Sequence, residues 1–287
     1  MTSEQGPLTI DGSEVFELKS AAIGDTLQIT VAPPALYESF QSPLPTIYVL
    51  DGNLCLPIAS SIVRTLQFVA FGAIPPVLCV GIGYPADPLE VMALRSRDLT
   101  PTVAELPPSP MPTDKHGLGG ADRFLDALTD EVFPLVEERY RSDPSDRTLV
   151  GWSLGGLFAL HTLFTRPHSF AKYMAISPSI WWDDRVVMAS EEAYAASHPD
   201  LTASLFACVG DREETGPARA WPPIPPDMFD LALSGKMVTN LDELVARLRS
   251  RRYPNLDVRH HVFTDEHHST VFPAAFTRGL VALHATV

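Results

Sequence analysis

The sequence predicts an α/β fold with a mainly parallel central sheet and helices on both faces, and three observations carry that prediction. Short continuous apolar runs bounded by Pro and Gly, such as "PTIYVLDG" and "PVLCVGIGY", suit strands that are covered on both faces. Segments with apolar residues at helical spacing alternate with these runs along the chain, which is the order that builds a parallel sheet. The stretch "TLVGWSLGGLFALHTLF", residues 148–164, then leads an apolar strand pattern through Gly151, Ser153, Gly155 and Gly156 directly into a helical one. Each of those glycines weakens a regular element, so the turn itself must require them.

Taken in order, "TLQITVAPP" alternates as a half-buried strand does, and "PTIYVLDG" and "PVLCVGIGY" follow as buried strands. "ADRFLDALTDEVFPLVEERYRSD" places Phe124, Leu125, Leu128, Val132, Leu135 and Val136 on one helical face. The "RTLVGWS" strand and its helix come next, then the strands "KYMAISPS" and "SLFACVGD", the helix "NLDELVARLRSRRYP", the strand "LDVRHHVFTD" and a final helix, "TVFPAAFTRGLVALHA". Two stretches break the rhythm, at about 100–120 and 212–236. Both are rich in Pro and Gly and hold many of the 27 prolines. They read as long loop insertions over the carboxyl edge of the sheet, where ligands bind in open α/β sheets. No internal repeat or long linker divides the chain, so residues 1–287 read as one domain.

Composition narrows the partners. A net charge of −14 disfavours nucleic acid and anionic membrane surfaces. The N-terminal stretch lacks a basic, then apolar, leader pattern, and no run carries the ~18 apolar residues of a spanning helix. A cytoplasmic protein with no membrane partner is expected. Cys55, Cys79 and Cys208 are odd in number and sit in apolar runs, which suits small buried hydrophobes better than a disulfide or metal frame. No metal or other cofactor is expected.

The spacing G-x-S-x-G at a strand-to-helix turn is that of a nucleophile elbow. The turning residue, Ser153, would be strained with its hydroxyl outward and the next helix's N-terminus aimed at what it attacks. A serine needs a base. His161 falls inside the elbow helix, His260 and His261 within a strand, and His284 in the C-terminal tail, which leaves His267 and His268 in the turn "TDEHHSTVFP". To orient that base, "GDREE" after the strand "SLFACVG" offers Asp211, Glu213 and Glu214. Glu213, three residues past Gly210, is preferred and Asp211 is next. Two backbone N–H groups would complete the site as an oxyanion hole: that of Leu154 after the serine, and that of Asn53 after Gly52 in "YVLDGN".

The blocks "YVLDGN", "GIGYP", "RSRDLTPT", "GWSLGGLFAL", "FAKYMAISPSIWWDD", "VGDREE" and "HHSTVFPAAFTRGL" together resemble the Putative esterase family of α/β hydrolases. That family is similar to esterase D and includes enterobactin-type trilactone and other siderophore esterases. The resemblance runs from about Tyr48 to Leu280. It implies the α/β-hydrolase fold, Ser153 as nucleophile, and His268 as base, because His268 lies five residues before Pro273 as in the family's His-x-Ser-Val-x-Pro block. Here Thr270 departs from that block and His267 precedes the base. Family members often carry a Glu at the position of Glu213, although some siderophore-esterase relatives work with a Ser–His dyad. "RSRDLTPT", with Arg95, Arg97 and Asp98, resembles a segment near the substrate cleft. Arg97 is accordingly a candidate to bind a substrate oxygen, with an Arg97–Asp98 ion pair as the alternative. Trp181 and Trp182 are candidates to line an acyl or aryl pocket, with core packing as the alternative.

The expectation is therefore a cofactor-free serine hydrolase of a small-molecule carboxylic ester or lactone, of a siderophore or another secondary metabolite, acting through an acyl-enzyme. Acyl transfer on the same scaffold, and a hydrolase fold without catalysis used for binding, are the alternatives. The sequence leaves substrate and oligomeric state open.

Overall fold

A computed structural model describes residues 10, 12–68, 72–105, 113–215 and 235–285. Residues 106–112 of the first Pro-rich insertion and 216–234 of the second lie outside the described residues. Eight strands form one sheet in the order β1-β2-β4-β3-β5-β6-β7-β8. They are β1 (Glu14–Ser20), β2 (Asp25–Ala32), β3 (Leu44–Val49), β4 (Leu78–Gly83), β5 (Ser142–Trp152), β6 (Lys172–Ile176), β7 (Ala203–Gly210) and β8 (Leu256–Phe263). From β4 to β8 every neighbouring pair is parallel, while β2 runs antiparallel to both β1 and β4. The arrangement is an α/β fold of the α/β-hydrolase type.

The helices are α1 (Gly52–Phe68), α2 (Pro88–Asp98), α3 (Ala121–Asp126), α4 (Phe133–Arg139), α5 (Leu154–Thr165), α6 (Trp182–Ser197), α7 (Arg212–Thr215), α8 (Met237–Arg251) and α9 (Val271–His284). They cover both faces, and the strand side chains sort accordingly. Tyr48, Leu78 and Val80 pack with Phe124, Leu157 and Leu244 on one face. Ile47, Cys79 and Cys208 pack with Leu56, Phe272 and Phe276 of α1 and α9 on the other. Strands buried on both faces are what the continuous apolar runs imply.

Two departures from the sequence pattern have physical causes. The helix expected over "ADRFLDALTDEVFPLVEERYR" is interrupted by a π-helical turn at Ala127–Val132. Pro134, in the first turn of α4, cannot donate to the carbonyl four residues back and crowds it, and a widened turn relieves both. Strand β1, not among the strands expected, is an edge strand whose Phe16 and Leu18 are half-buried between exposed Val15, Glu17 and Lys19. All three cysteines are free and buried, and burial pushes the Cys79 thiol up to about 12.

Candidate active site

Ser153, Glu213 and His268 follow the carboxyl ends of β5, β7 and β8. Ser153 sits between β5 and α5 with φ 61° and ψ −118°, a conformation that side-chain-bearing residues rarely adopt. The glycines around it permit the turn by close approach. A Cβ on Gly151 would stand 1.9 Å from the Gly155 carbonyl oxygen, and one on Gly156 would stand 2.9 Å from the Ile176 oxygen and from Pro178 Cα. The loop after β6 closes the other side of the elbow, because Ser179 N–H donates to the Ser153 carbonyl at 3.1 Å.

The three carboxylates of "GDREE" have different surroundings. Asp211 lies 3.8 Å from the Arg212 guanidinium at 37% side-chain exposure. Glu214 accepts from the N–H and hydroxyl of Thr239 in the first turn of α8. Glu213 alone turns inward, with a side chain 1% exposed. Its Oε1 accepts from Gly210 N–H at 2.8 Å and from Ser177 Oγ at 2.6 Å. Its Oε2 lies 2.6 Å from His268 Nδ1. A carboxylate in that position orients an imidazole and stabilises its protonated form. Gly210 must be glycine here, since a Cβ would meet the Glu266 carbonyl oxygen at 2.3 Å.

His268 is 41% exposed at the side chain and packs against Trp152, with ring centroids 5.1 Å apart at 32°. His267 makes its contacts through the backbone, its carbonyl accepting from Thr270 and Val271 at the start of α9. Trp152 and Ser177 were not singled out in the sequence. Trp152 is the variable position of G-x-S-x-G, and Ser177, at φ 43°, is legible only through the turn-forming "SPS".

The two N–H groups expected to face an oxyanion occupy matching places. Val49 of β3 pairs with Val150 of β5, so Asn53 and Leu154 each lie four residues beyond a paired position on neighbouring parallel strands. Both fall in the first turn of a helix, where backbone N–H groups have no partner within the helix and carry the positive end of its dipole. The Asn53 side chain clamps the end of β4: its Oδ1 accepts from Tyr84 N–H at 2.8 Å, and its Nδ2 donates to the Tyr84 carbonyl at 2.8 Å. Glycines again allow the approach, as a Cβ on Gly83 would collide with Asn53 Oδ1 at 2.1 Å.

Two expected substrate contacts are differently employed. Arg97 donates to both Asp98 oxygens, at 2.7 and 2.8 Å, and to Asp25 at 3.1 Å. The ion-pair alternative describes it, and its fork is already occupied by carboxylates. Trp182 is 2% exposed and its indole N–H donates to the Thr102 carbonyl, so it is a core residue that fastens the chain after α2. Trp181 remains 40% exposed, with its ring 5.9 Å from that of Trp182. The candidate histidines set aside in the sequence also have structural partners: His161 meets Asp122 at 2.8 Å. His284 is not in a free tail but is buried at the end of α9 beside Thr148, at 3.0 Å.

Among the described residues no helix is long and apolar enough to cross a membrane. Residues 20–283 match a family model whose description reads "Putative esterase". The chain is 34% identical over 293 residues to the siderophore triacetylfusarinine C esterase of Aspergillus fumigatus, across 96% of this chain and 94% of that protein. It is 30% identical over 284 residues to the ferri-bacillibactin esterase BesA of Bacillus subtilis, across 96% and 91%. Among solved structures, the siderophore hydrolase EstA from Aspergillus nidulans aligns with a TM-score of 0.84 at 27% identity, across 99% of this chain and 98% of that one.

Proposed function

Since the chain belongs to the Putative esterase family of α/β hydrolases and is a serine hydrolase of carboxylic esters, we propose that Ser153, His268 and Glu213 form its catalytic triad and that its substrate is a siderophore ester or lactone. The observation that carries the triad is the contact between His268 Nδ1 and Glu213 Oε2 at 2.6 Å, and the elbow geometry of Ser153 supports it. The siderophore substrate is supported by the similarity to two esterases named for siderophores, each covering more than nine-tenths of both chains.

In this reading Ser153 Oγ attacks the ester carbonyl while His268 Nε2 takes its proton. Negative charge then develops on the former carbonyl oxygen, where the Leu154 and Asn53 N–H groups receive it. The tetrahedral intermediate collapses, His268 returns the proton to the leaving alkoxide, and an acyl-Ser153 remains. Water activated by the same imidazole releases the acid and restores the serine. Glu213 holds the tautomer whose proton is on Nδ1. Trp181 offers the exposed apolar surface against which an acyl or aryl group of the substrate rests.

The test combines labelling with turnover. An aryl phosphonate should add to Ser153 alone, seen by peptide mass spectrometry, and His268→Ala should abolish both labelling and hydrolysis of a short p-nitrophenyl ester while His267→Ala retains them. A trilactone or fusarinine-type siderophore should be hydrolysed with a higher kcat/KM than the p-nitrophenyl ester. Equal or poorer turnover of siderophores would leave a serine esterase of other metabolites.

A further inference from the structure

We infer that the buried ion pair between Arg95 and Asp51 sets the relative position of the two oxyanion-facing N–H groups, which makes both of them positioning residues of the reaction. The inference rests on the proposed roles of Leu154 and Asn53. Arg95, on α2, grips Asp51 with both arms of its fork, Nε to Oδ1 at 2.5 Å and Nη2 to Oδ2 at 2.8 Å. The two side chains are 10% and 7% exposed. Burial disfavours the guanidinium charge, and Asp51 more than offsets this, so that the Arg95 pKa lies above its ordinary value.

Asp51 touches the starts of both α1 and α5. Its carbonyl accepts from the N–H groups of Leu54 and Cys55, each at 2.9 Å, and so fixes the first turn of α1 immediately around Asn53. Its carboxylate Oδ2 lies 3.5 Å from where a Cβ on Gly155 would stand, against the first turn of α5 that begins with Leu154. The residue itself holds φ at 53°, a left-handed conformation that surrounding contacts must maintain. Asp51 thus stands between the two helix starts, and Arg95 holds Asp51.

The charge matters as much as the geometry. A lone carboxylate at this place would oppose the negative charge that develops on the substrate oxygen, and a guanidinium bound to it in bidentate fashion neutralises it. The pair also explains why an arginine in "RSRDLTPT" faces the reaction centre without serving as a substrate anchor: its donors are directed at Asp51.

The experiment compares Arg95→Lys and Asp51→Asn with the unaltered enzyme on a neutral p-nitrophenyl ester and on an ester bearing a carboxylate. Lys keeps the charge but loses the fork, and Asn keeps the shape but loses the charge. Each variant should lower kcat by about 10- to 100-fold, less than the loss of a whole oxyanion donor, with KM changed by no more than about twofold on either ester. The rate of phosphonate addition to Ser153 should fall in parallel, while thermal unfolding shows the variants folded at the assay temperature. Unchanged kcat in both variants would overturn the inference. So would a rise in KM confined to the anionic ester, which would make Arg95 a substrate anchor. Failure of the unaltered protein to hydrolyse either ester or to be labelled at Ser153 would instead overturn the catalytic reading beneath it.

Discussion

His268 Nδ1 and Glu213 Oε2 meet at 2.6 Å although 55 residues separate them in the chain, and the other Glu213 oxygen is taken by Gly210 N–H and Ser177 Oγ. Every strong contact of this carboxylate thus either fixes it in place or fixes the imidazole. A buried carboxylate without such donors would be costly. Here three donors converge on one side chain, and the arrangement has a defined orientation: Ser177 and Gly210 hold Glu213, and Glu213 holds the His268 ring.

Replacement of Glu213 by Gln should therefore lower turnover on an activated ester by on the order of 10²- to 10⁴-fold, since an amide neither stabilises the imidazolium nor selects its tautomer. Asp211→Asn should retain most activity, because Asp211 faces Arg212 and solvent. Steady-state kinetics of both variants, with circular dichroism to show that they are folded, checks the ranking. Full activity in Glu213→Gln would point to a Ser–His dyad.

In the proposed mechanism Ser153 combines chemistry with strain, and the two can be separated by substitution. Ser153→Ala should lose on the order of 10⁴- to 10⁶-fold in turnover with little change in stability, because it keeps a Cβ at φ 61°. Ser153→Gly should be equally inactive yet more stable than Ser153→Ala by about 1 kcal/mol, as glycine relieves the positive φ. Urea unfolding of the two inactive variants measures that difference directly. Equal stability would mean that the elbow stores no strain.

The elbow glycines have a harder limit. A methyl on Gly151 would be 1.9 Å from a backbone oxygen of the next helical turn, and backbone cannot swing aside as a side chain does. Gly151→Ala should cost at least the ~3 kcal/mol at the upper end of ordinary overpacking. It should also move Leu154 relative to Ser153, so any folded fraction should lose activity out of proportion to the loss of stability. Retention of both would show that α5 can shift without cost.

The mainly parallel sheet and the elbow were legible because they follow from strong local signals: continuous apolar runs, and glycines in a spacing that only a tight reversal explains. Glu213 was legible as the end of β7 plus three residues, and that position does turn inward. For Arg97 and Trp182 the sequence left a substrate contact and a structural role side by side, and the structural role is the one found; the Arg95–Asp51 pair was not legible, because a sequence shows an arginine near a cleft without showing which distant carboxylate it meets. Helix α1 was hidden by Gly52 and by Pro57 within it, both of which mask helical periodicity. The contact of Trp152 with His268 joins β5 to the loop after β8, and no local pattern reports a contact of that range.

His284 carries the last prediction, at the far end of α9 from the reaction centre. The ring is buried beside Thr148, and burial, reinforced by Lys172 and opposed by Asp146, pushes its pKa down to about 4 from an ordinary value of 6.5. The folded protein therefore keeps the imidazole neutral at a pH where the unfolded chain protonates it. The associated stability is fully present above about pH 6.5 and is lost as the pH falls toward 4, by about 3 kcal/mol over that window. Below pH 4 both states are protonated and this contribution stops changing. His284→Gln, which keeps a polar partner for Thr148 and cannot titrate, should flatten the fall in unfolding free energy between pH 6.5 and 4. Guanidinium unfolding of the two proteins at several pH values checks this, and parallel curves would mean that His284 protonates in the folded state without penalty.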